Sequence, residues 1–315
     1  MTRVAAVDLG TNSTRLLVAD VEDGRLEEVV RRVAITRLGE DVDRRGRLLP
    51  VPVARVRNVL AGYRRELEAL GAERTLAVAT SAVRDADNGE AFLGEVEWSY
   101  GFETLLLDGR AEAELTFRGV AAGRSLEPGT LVVDVGGGST ELVLGGPEGV
   151  DRALSLQLGS VRLTERFLHA DPPAADELEA CAAHVRDVLP ALEGVRRAIG
   201  VAGTVTTLAA LDLGLTDDDP ARAHGHRLTP AAVAEQLERL AALPLAERRG
   251  VPALEPERAP VIVGGAVLVH ELLGRYGLAE LEVSERDLLH GAALAAAERP
   301  PRAEGPAPPG AYTCC

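Results

Sequence analysis

Two stretches of this chain carry the same residues in the same order, 126 positions apart and without a gap. Asp8, Gly10, Ser13, Thr14 and Leu16 in VAAVDLGTNSTRLLVAD return as Asp134, Gly136, Ser139, Thr140 and Leu142 in LVVDVGGGSTELVLG. A fixed offset marks a duplicated unit, so the expectation is two similar halves that face each other across a cleft. Each stretch is an apolar run that closes on an aspartate, a glycine turn, and a second apolar run, which reads as two β-strands joined by a hairpin. Glycine lets the backbone take conformations that aim several N–H groups at one anion. The result is a phosphate cradle, formed by Gly10, Thr11, Asn12 and Ser13 in one half and by Gly136, Gly137, Gly138 and Ser139 in the other. A carboxylate that seeks a metal stands at each lip. A single such loop is also read as an ordinary hairpin turn; the repetition favours the phosphate reading.

The segments between the loops alternate strands and amphipathic helices. Strands are expected near Val4–Asp8, Thr14–Asp20, Arg25–Ile35, Thr75–Thr80 and Glu103–Leu107, with a helix from Pro52 to Gly71 and another near Gly89–Tyr100. The strand ending at Thr80 delivers ATSAVRDADN beyond its carboxyl end, where open α/β sheets bind ligands. Arg84 in that loop is read either as a surface residue paired with a neighbouring aspartate or as a bidentate phosphate clamp. Next, DGRAEAELTFRGVAAG runs at helical spacing with Glu112 in its first turn, a position that carboxylates also favour for the helix dipole alone. The domain crossing is expected at Gly123–Gly129. The second half repeats the meander over Leu131–Val135, Thr140–Leu144 and Asp151–Leu158, with helices from Gly159 and over Asp176–Leu192. A strand at Ala198–Ala202 then leads to Gly203 and Thr204 at a helix start, a third anion site or a plain N-cap. Asp217, Asp218, Asp219, His224 and His226 read as a solvated acidic loop rather than a metal site. Helices are expected at Pro230–Leu243, Pro256–Tyr276 and Glu285–Ala297, with a strand at Leu281–Val283 before the last and a disordered tail from residue 299 to 315 after it.

Composition narrows the partners. The 315 residues suffice for two domains, the net charge is −15, and all 34 basic residues are Arg. An acidic surface disfavours general binding to nucleic acid or to an anionic membrane. The absence of Lys removes any P-loop lysine. No apolar run approaches the roughly 18 residues of a membrane span, and the chain opens directly on a strand, so a cytoplasmic protein is expected. Cys181, Cys314 and Cys315 fit neither a disulfide framework nor a zinc site.

With the two hairpins, ATSAVRDADN, GRAEAELTF, GVAGTVTTL and SERDLLHGA in this order, the chain resembles the exopolyphosphatase/guanosine pentaphosphate phosphohydrolase family, from about Val4 to Ala297. The family belongs to the larger group of actin-like, sugar-kinase and Hsp70 proteins. The resemblance implies an α/β fold of two ribonuclease-H-like domains around a central cleft. They are expected over residues 1–123 and 124–284, with the last helix, about 285–298, packing back on the first. It further implies Glu112 as the catalytic glutamate, Asp134 as the metal-linked aspartate, the two glycine loops as phosphate sites, and Arg84 as the phosphate-binding arginine. Family members usually carry two adjacent glutamates where this chain has Ala111–Glu112. The chain stops before the additional helical domain of long members, as short two-domain forms do, and a homodimer is a further expectation from the family.

The chemistry follows from the substrate. Hydrolysis of a phosphoanhydride requires charge neutralisation, a stabilised leaving oxygen and a water in line with the bond. The loops grip the phosphates, Asp134 with Asp8 holds Mg²⁺ or another divalent cation, and Glu112 activates the water. Short polyphosphate is the expected substrate, and the guanosine pentaphosphate nucleotide pppGpp is the alternative. A kinase or ATPase of the same fold group, or a non-enzymatic actin-like nucleotide module, are the competing readings.

Overall fold

The computed structural model describes residues 1–217 and 219–300. The tail expected from residue 299, with Cys314 and Cys315, lies outside the described residues from residue 301 on, as does Asp218. The chain divides into two compact units, one formed by Met1–Asp108 with the segment from Leu289, the other by Gly109–Leu288.

The first unit opens with an antiparallel meander, β1 (Thr2–Leu9), β2 (Ser13–Glu22) and β3 (Arg25–Ile35). The single turn α1 (Val42–Arg45), the long α2 (Pro50–Leu70), β4 (Arg74–Ala79), the turn α3 (Ser81–Arg84), α4 (Gly89–Tyr100) and β5 (Glu103–Leu106) follow. The sheet order is β3-β2-β1-β4-β5, with β4 parallel to both β1 and β5. Val53, Val56, Leu60, Tyr63 and Leu67 form the buried stripe of α2, which packs with Val7, Leu9, Leu16 and Val18 of the meander. Proline enters the first turn of α2 and Gly71 ends it at φ 69°, the asymmetry expected of helix ends.

The second unit begins at α5 (Gly109–Ala121) and repeats the meander as β6 (Thr130–Val135), β7 (Thr140–Gly146) and β8 (Gly149–Leu156). Then come α6 (Ser160–Phe167), α7 (Ala175–Val188), β9 (Arg197–Val201) and α8 (Ala202–Asp212). The turn α9 (Pro220–Ala223), the short β10 (Arg227–Leu228), α10 (Pro230–Ala242), the turn α11 (Leu245–Arg248), α12 (Ile262–Arg275) and β11 (Leu281–Val283) complete it. Its sheet order is β10-β11-β9-β6-β7-β8. Apart from the added edge strand β10, this reproduces the first sheet: three antiparallel strands, then two parallel ones. Both units therefore share one strand order, as the duplication implies, and it is the ribonuclease-H-like order that the family resemblance implies. The last helix, α13 (Leu288–Glu298), groups with the first unit from Leu289, where His290 Nε2 lies 2.9 Å from Glu28 Oε1.

Several boundaries differ from the sequence expectation, among them the end of α7, which stops at Val188 and not at Leu192. The units divide at Asp108 and Gly109, not at Gly123–Gly129. Ala113, Phe117 and Val120 of α5 join Val132, Val143, Ile199 and Val201 in one apolar cluster, so the helix carrying Glu112 belongs to the second unit. The helix expected from Pro256 begins at Ile262, after Pro260, which lacks the N–H a helix interior requires. The final helix begins at Leu288 and not at Glu285, because Ser284 Oγ accepts from the Arg286 amide (3.1 Å) and donates to the Arg286 carbonyl (2.9 Å), closing a turn first. Cys181 is a buried thiol in α7, and burial with the charge of Glu271 pushes it up to about 12. Among the described residues, no helix is long and apolar enough to cross a membrane.

Candidate active site

The two hairpins are the same object twice. In β1 and β2, Asp8 stands opposite Arg15 and Leu9 opposite Thr14; in β6 and β7, Asp134 stands opposite Glu141 and Val135 opposite Thr140. Gly10 N donates to Ser13 O (3.0 Å), and Gly136 N donates to Ser139 O (3.1 Å). Even the irregularities agree at the same offset, since the second strand slips register at Val18/Ala19 in one unit and at Leu144/Gly145 in the other.

The carbonyls of each turn are tied to neighbouring segments. In the first unit, Thr11 O accepts from Gly39 N (2.8 Å), and Asn12 O accepts from Thr36 N (3.1 Å) and Arg37 N (2.8 Å). In the second, Gly136 O accepts from Ser160 N (2.9 Å), Gly137 O from Val161 N (2.9 Å) and Gly138 O from Arg162 Nε (2.8 Å). The donors Ser160 and Val161 are the orphan amides at the start of α6. In a trans peptide the C=O and the following N–H point in opposite directions. With the carbonyls tied to α6, the amides of Gly137, Gly138 and Ser139 therefore face away from it, as a nest for an anion. Gly159 makes the approach possible, because a Cβ there would stand 2.3 Å from Gly137 O.

The carboxylates diverge between the units. Asp8 is buried and its Oδ2 accepts from Arg15 Nε at 2.8 Å, with Arg15 Nη2 also at 2.8 Å. An arginine thus answers the charge at Oδ2, while Asp8 Oδ1 is buried with no hydrogen-bond partner among the described residues. In the second unit the position of Arg15 is taken by Glu141. Glu112, Asp134 and Glu141 are 5%, 6% and 1% exposed. Burial, then the charges of Glu112 and Asp134, push the Glu141 carboxyl well above its usual range. Hydroxyls support the group: Ser155 Oγ donates to Glu141 Oε1 (2.7 Å), Ser139 also bonds Glu141, and Thr116 Oγ1 donates to Asp134 Oδ2 (3.3 Å). Ser139 therefore serves the carboxylate as well as the loop. Gly109 lets α5 enter close to β8, since a Cβ there would stand 2.3 Å from the Ser155 Cβ.

Other expected residues are distributed as follows. Parallel pairing of Leu9 with Ala79 brings the Gly10–Ser13 turn and α3 to the same end of the first sheet, and Arg84, half-buried, donates from Nη1 to Leu107 O (2.7 Å). Pairing of Asp134 with Val201 likewise brings Gly203 and Thr204 to the loop end of the second sheet. There Ala202 takes φ 69°, and the Arg258 guanidinium lies so close over Gly203 that a Cβ would stand 1.7 Å from Nη1. Thr204 packs against Gly265 and makes no side-chain cap of α8. In the acidic loop, His226 Nε2 lies 2.6 Å from Asp212 Oδ2 and His224 Nδ1 accepts from the Glu285 amide (3.2 Å). Among the described residues, no group of three or more His, Cys, Asp or Glu side chains is arranged to hold a metal ion by itself. Sequence reading missed Glu141, Arg15, Thr116, Ser155 and Arg162. For Arg15 and Glu141 the signal was present, because each follows its aspartate by the same seven positions across a hairpin.

Comparison with known proteins agrees with this geometry. Residues 17–299 match the model of the Ppx/GppA phosphatase family. Exopolyphosphatase 2 of Mycobacterium tuberculosis is 43% identical over 318 residues, covering 94% of this chain and 99% of that protein. The crystal structure of an exopolyphosphatase-like protein superposes with a TM-score of 0.87 at 35% identity, covering 93% of this chain and 98% of that one. The Ppx/GppA family member of Aquifex aeolicus superposes with a TM-score of 0.78 at 33% identity, covering 93% and 97%.

Proposed function

The chain belongs to the Ppx/GppA phosphatase family and is a hydrolase, and on that premise we propose that it releases terminal phosphate from inorganic polyphosphate, preferring short chains, with Glu112 activating the water. The observation that carries this reading is the buried group of Glu112, Asp134 and Glu141 beside a glycine loop whose amides face away from α6. The exopolyphosphatase name of the mycobacterial relative supports polyphosphate as substrate.

The donor set fits a divalent cation. Burial first, and then the charges of Glu112 and Asp134, raise the Glu141 carboxyl, and a cation among these carboxyls would offset both. Mg²⁺ typically takes one or two carboxylates and completes its shell with water and phosphate oxygens, so Asp134 with Glu141 would hold it. Bound there, it neutralises charge on the phosphate oxygens. The protein's own residues do the rest. Amides of Gly137, Gly138 and Ser139 hold the terminal phosphate, and within the first unit the Gly10–Ser13 loop and Arg84 are read as phosphate-binding groups. Glu112 sits in the first turn of α5, buried near Glu141 and Asp134. It accepts a proton as the water oxygen bonds to phosphorus and the bridging P–O bond breaks. The shortened chain leaves with the electron pair of that bond.

Phosphate release from tripolyphosphate with Mg²⁺ tests the reading. Glu112→Gln is expected to lower kcat by about 10²–10⁴ while tripolyphosphate still binds by calorimetry. Retained turnover would remove Glu112 from the mechanism, and activity that persists in excess EDTA would defeat the cation.

A further inference from the structure

We propose that Arg162 is the positioning residue of the second phosphate loop, fixing the Gly138–Ser139 peptide so that its amide meets the substrate. The inference rests on the reading of that loop as phosphate-binding and identifies which side chain sets its grip. Arg162 is 8% exposed. A guanidinium so far from water requires partners of good geometry, and one of them is the loop: Nε donates to Gly138 O at 2.8 Å, while the Arg162 backbone amide donates to Gly137 O at 3.2 Å. One residue therefore holds two consecutive carbonyls of the turn.

The duplication shows what is special about this. Asn12, the first-unit counterpart of Gly138, has its carbonyl held by the backbone amides of Thr36 and Arg37. Where the first unit uses main chain, the second uses a side chain. A planar guanidinium suits the task, because its N–H groups are fixed in direction and its charge is permanent. A charged donor on the carbonyl also polarises the peptide, which makes the N–H at its other end a stronger donor to an anion. Arg162 thus acts through Ser139 N–H and does not itself need to touch the substrate. Gly138 supplies no side chain to lock the peptide, and this bond is the side-chain hold on its carbonyl.

Arg162→Gln and Arg162→Lys in the full chain test the assignment. For Arg162→Gln the KM for tripolyphosphate and the Ki of inorganic phosphate are expected to rise about tenfold, the loss of roughly one charge-assisted hydrogen bond, with kcat within about threefold of wild type. Arg162→Lys, which keeps the charge without the planar fork, is expected to recover part of that loss. A merely structural role would lower the thermal midpoint and the active fraction, and so kcat, with KM and Ki unchanged. Calorimetric binding of tripolyphosphate gives a readout free of turnover. Equal affinity in wild type and folded Arg162→Gln overturns the assignment alone. Failure of the wild-type chain both to bind and to cleave tripolyphosphate overturns this assignment and the phosphate-loop reading together.

Discussion

One residue separates the two copies of the hairpin in chemical character. Opposite its aspartate, the first carries Arg15 and the second carries Glu141. The first pair joins opposite charges, and the second sets two buried carboxyls side by side, the arrangement in which we propose a cation is held. From this contrast, Asp134→Asn is expected to raise the Mg²⁺ concentration for half-maximal phosphate release by at least about tenfold, and Asp8→Asn to leave it nearly unchanged. Asp8→Asn has a different cost: it strands the mostly buried Arg15 guanidinium, and removing one partner of such a pair costs about 3–5 kcal/mol. Mg²⁺ titration alongside denaturant unfolding separates the two effects. An equal rise in the Mg²⁺ requirement for both variants would return Asp8 to the cation.

At the scale of elements, the glycine loop of the second unit is held in shape by the start of α6. Gly159→Ala places a methyl against Gly137 O, where backbone cannot yield cheaply, and is expected to cost about 1–3 kcal/mol in stability and to weaken phosphate binding with it. Gly62→Ala, inside α2 with open space at the Cβ position, is expected to add about 0.5–1 kcal/mol. Thermal unfolding of the pair checks both signs. The same elements mark how far the sequence reaches. The bounds of β3 and α4 follow directly from the residue pattern and the glycines at their ends, because local patterning decides them. The unit boundary did not, since α5 joins the second unit through Phe117 and Val120 packing on strands far along the chain. Glu112, Asp134 and the loops were legible as motifs. Arg162, Thr116 and Ser155 were not, because they act through hydrogen bonds to the motif and carry no motif themselves.

At the scale of the whole molecule, net charge bears on the proposed preference for short phosphate chains. The protein carries −15 and no lysine, so a polyphosphate that extends beyond its local amides and arginines runs along an acidic surface. The Debye length is about 8 Å at physiological ionic strength and about 3 Å at 1 M salt, so repulsion of the overhanging phosphates is strong in the first condition and largely screened in the second. Per chain end, kcat/KM is therefore expected to fall by roughly threefold or more from tripolyphosphate to chains of hundreds of phosphates at low ionic strength. The ratio of long to short is expected to approach one in 1 M salt. Taking the ratio cancels the direct competition of salt with phosphate binding, which both substrates share. Phosphate release over polyphosphates of defined length, at two ionic strengths, reads it directly. A ratio above one that falls with added salt would mean that a local basic track outweighs the net charge, and the preference for short chains would be abandoned.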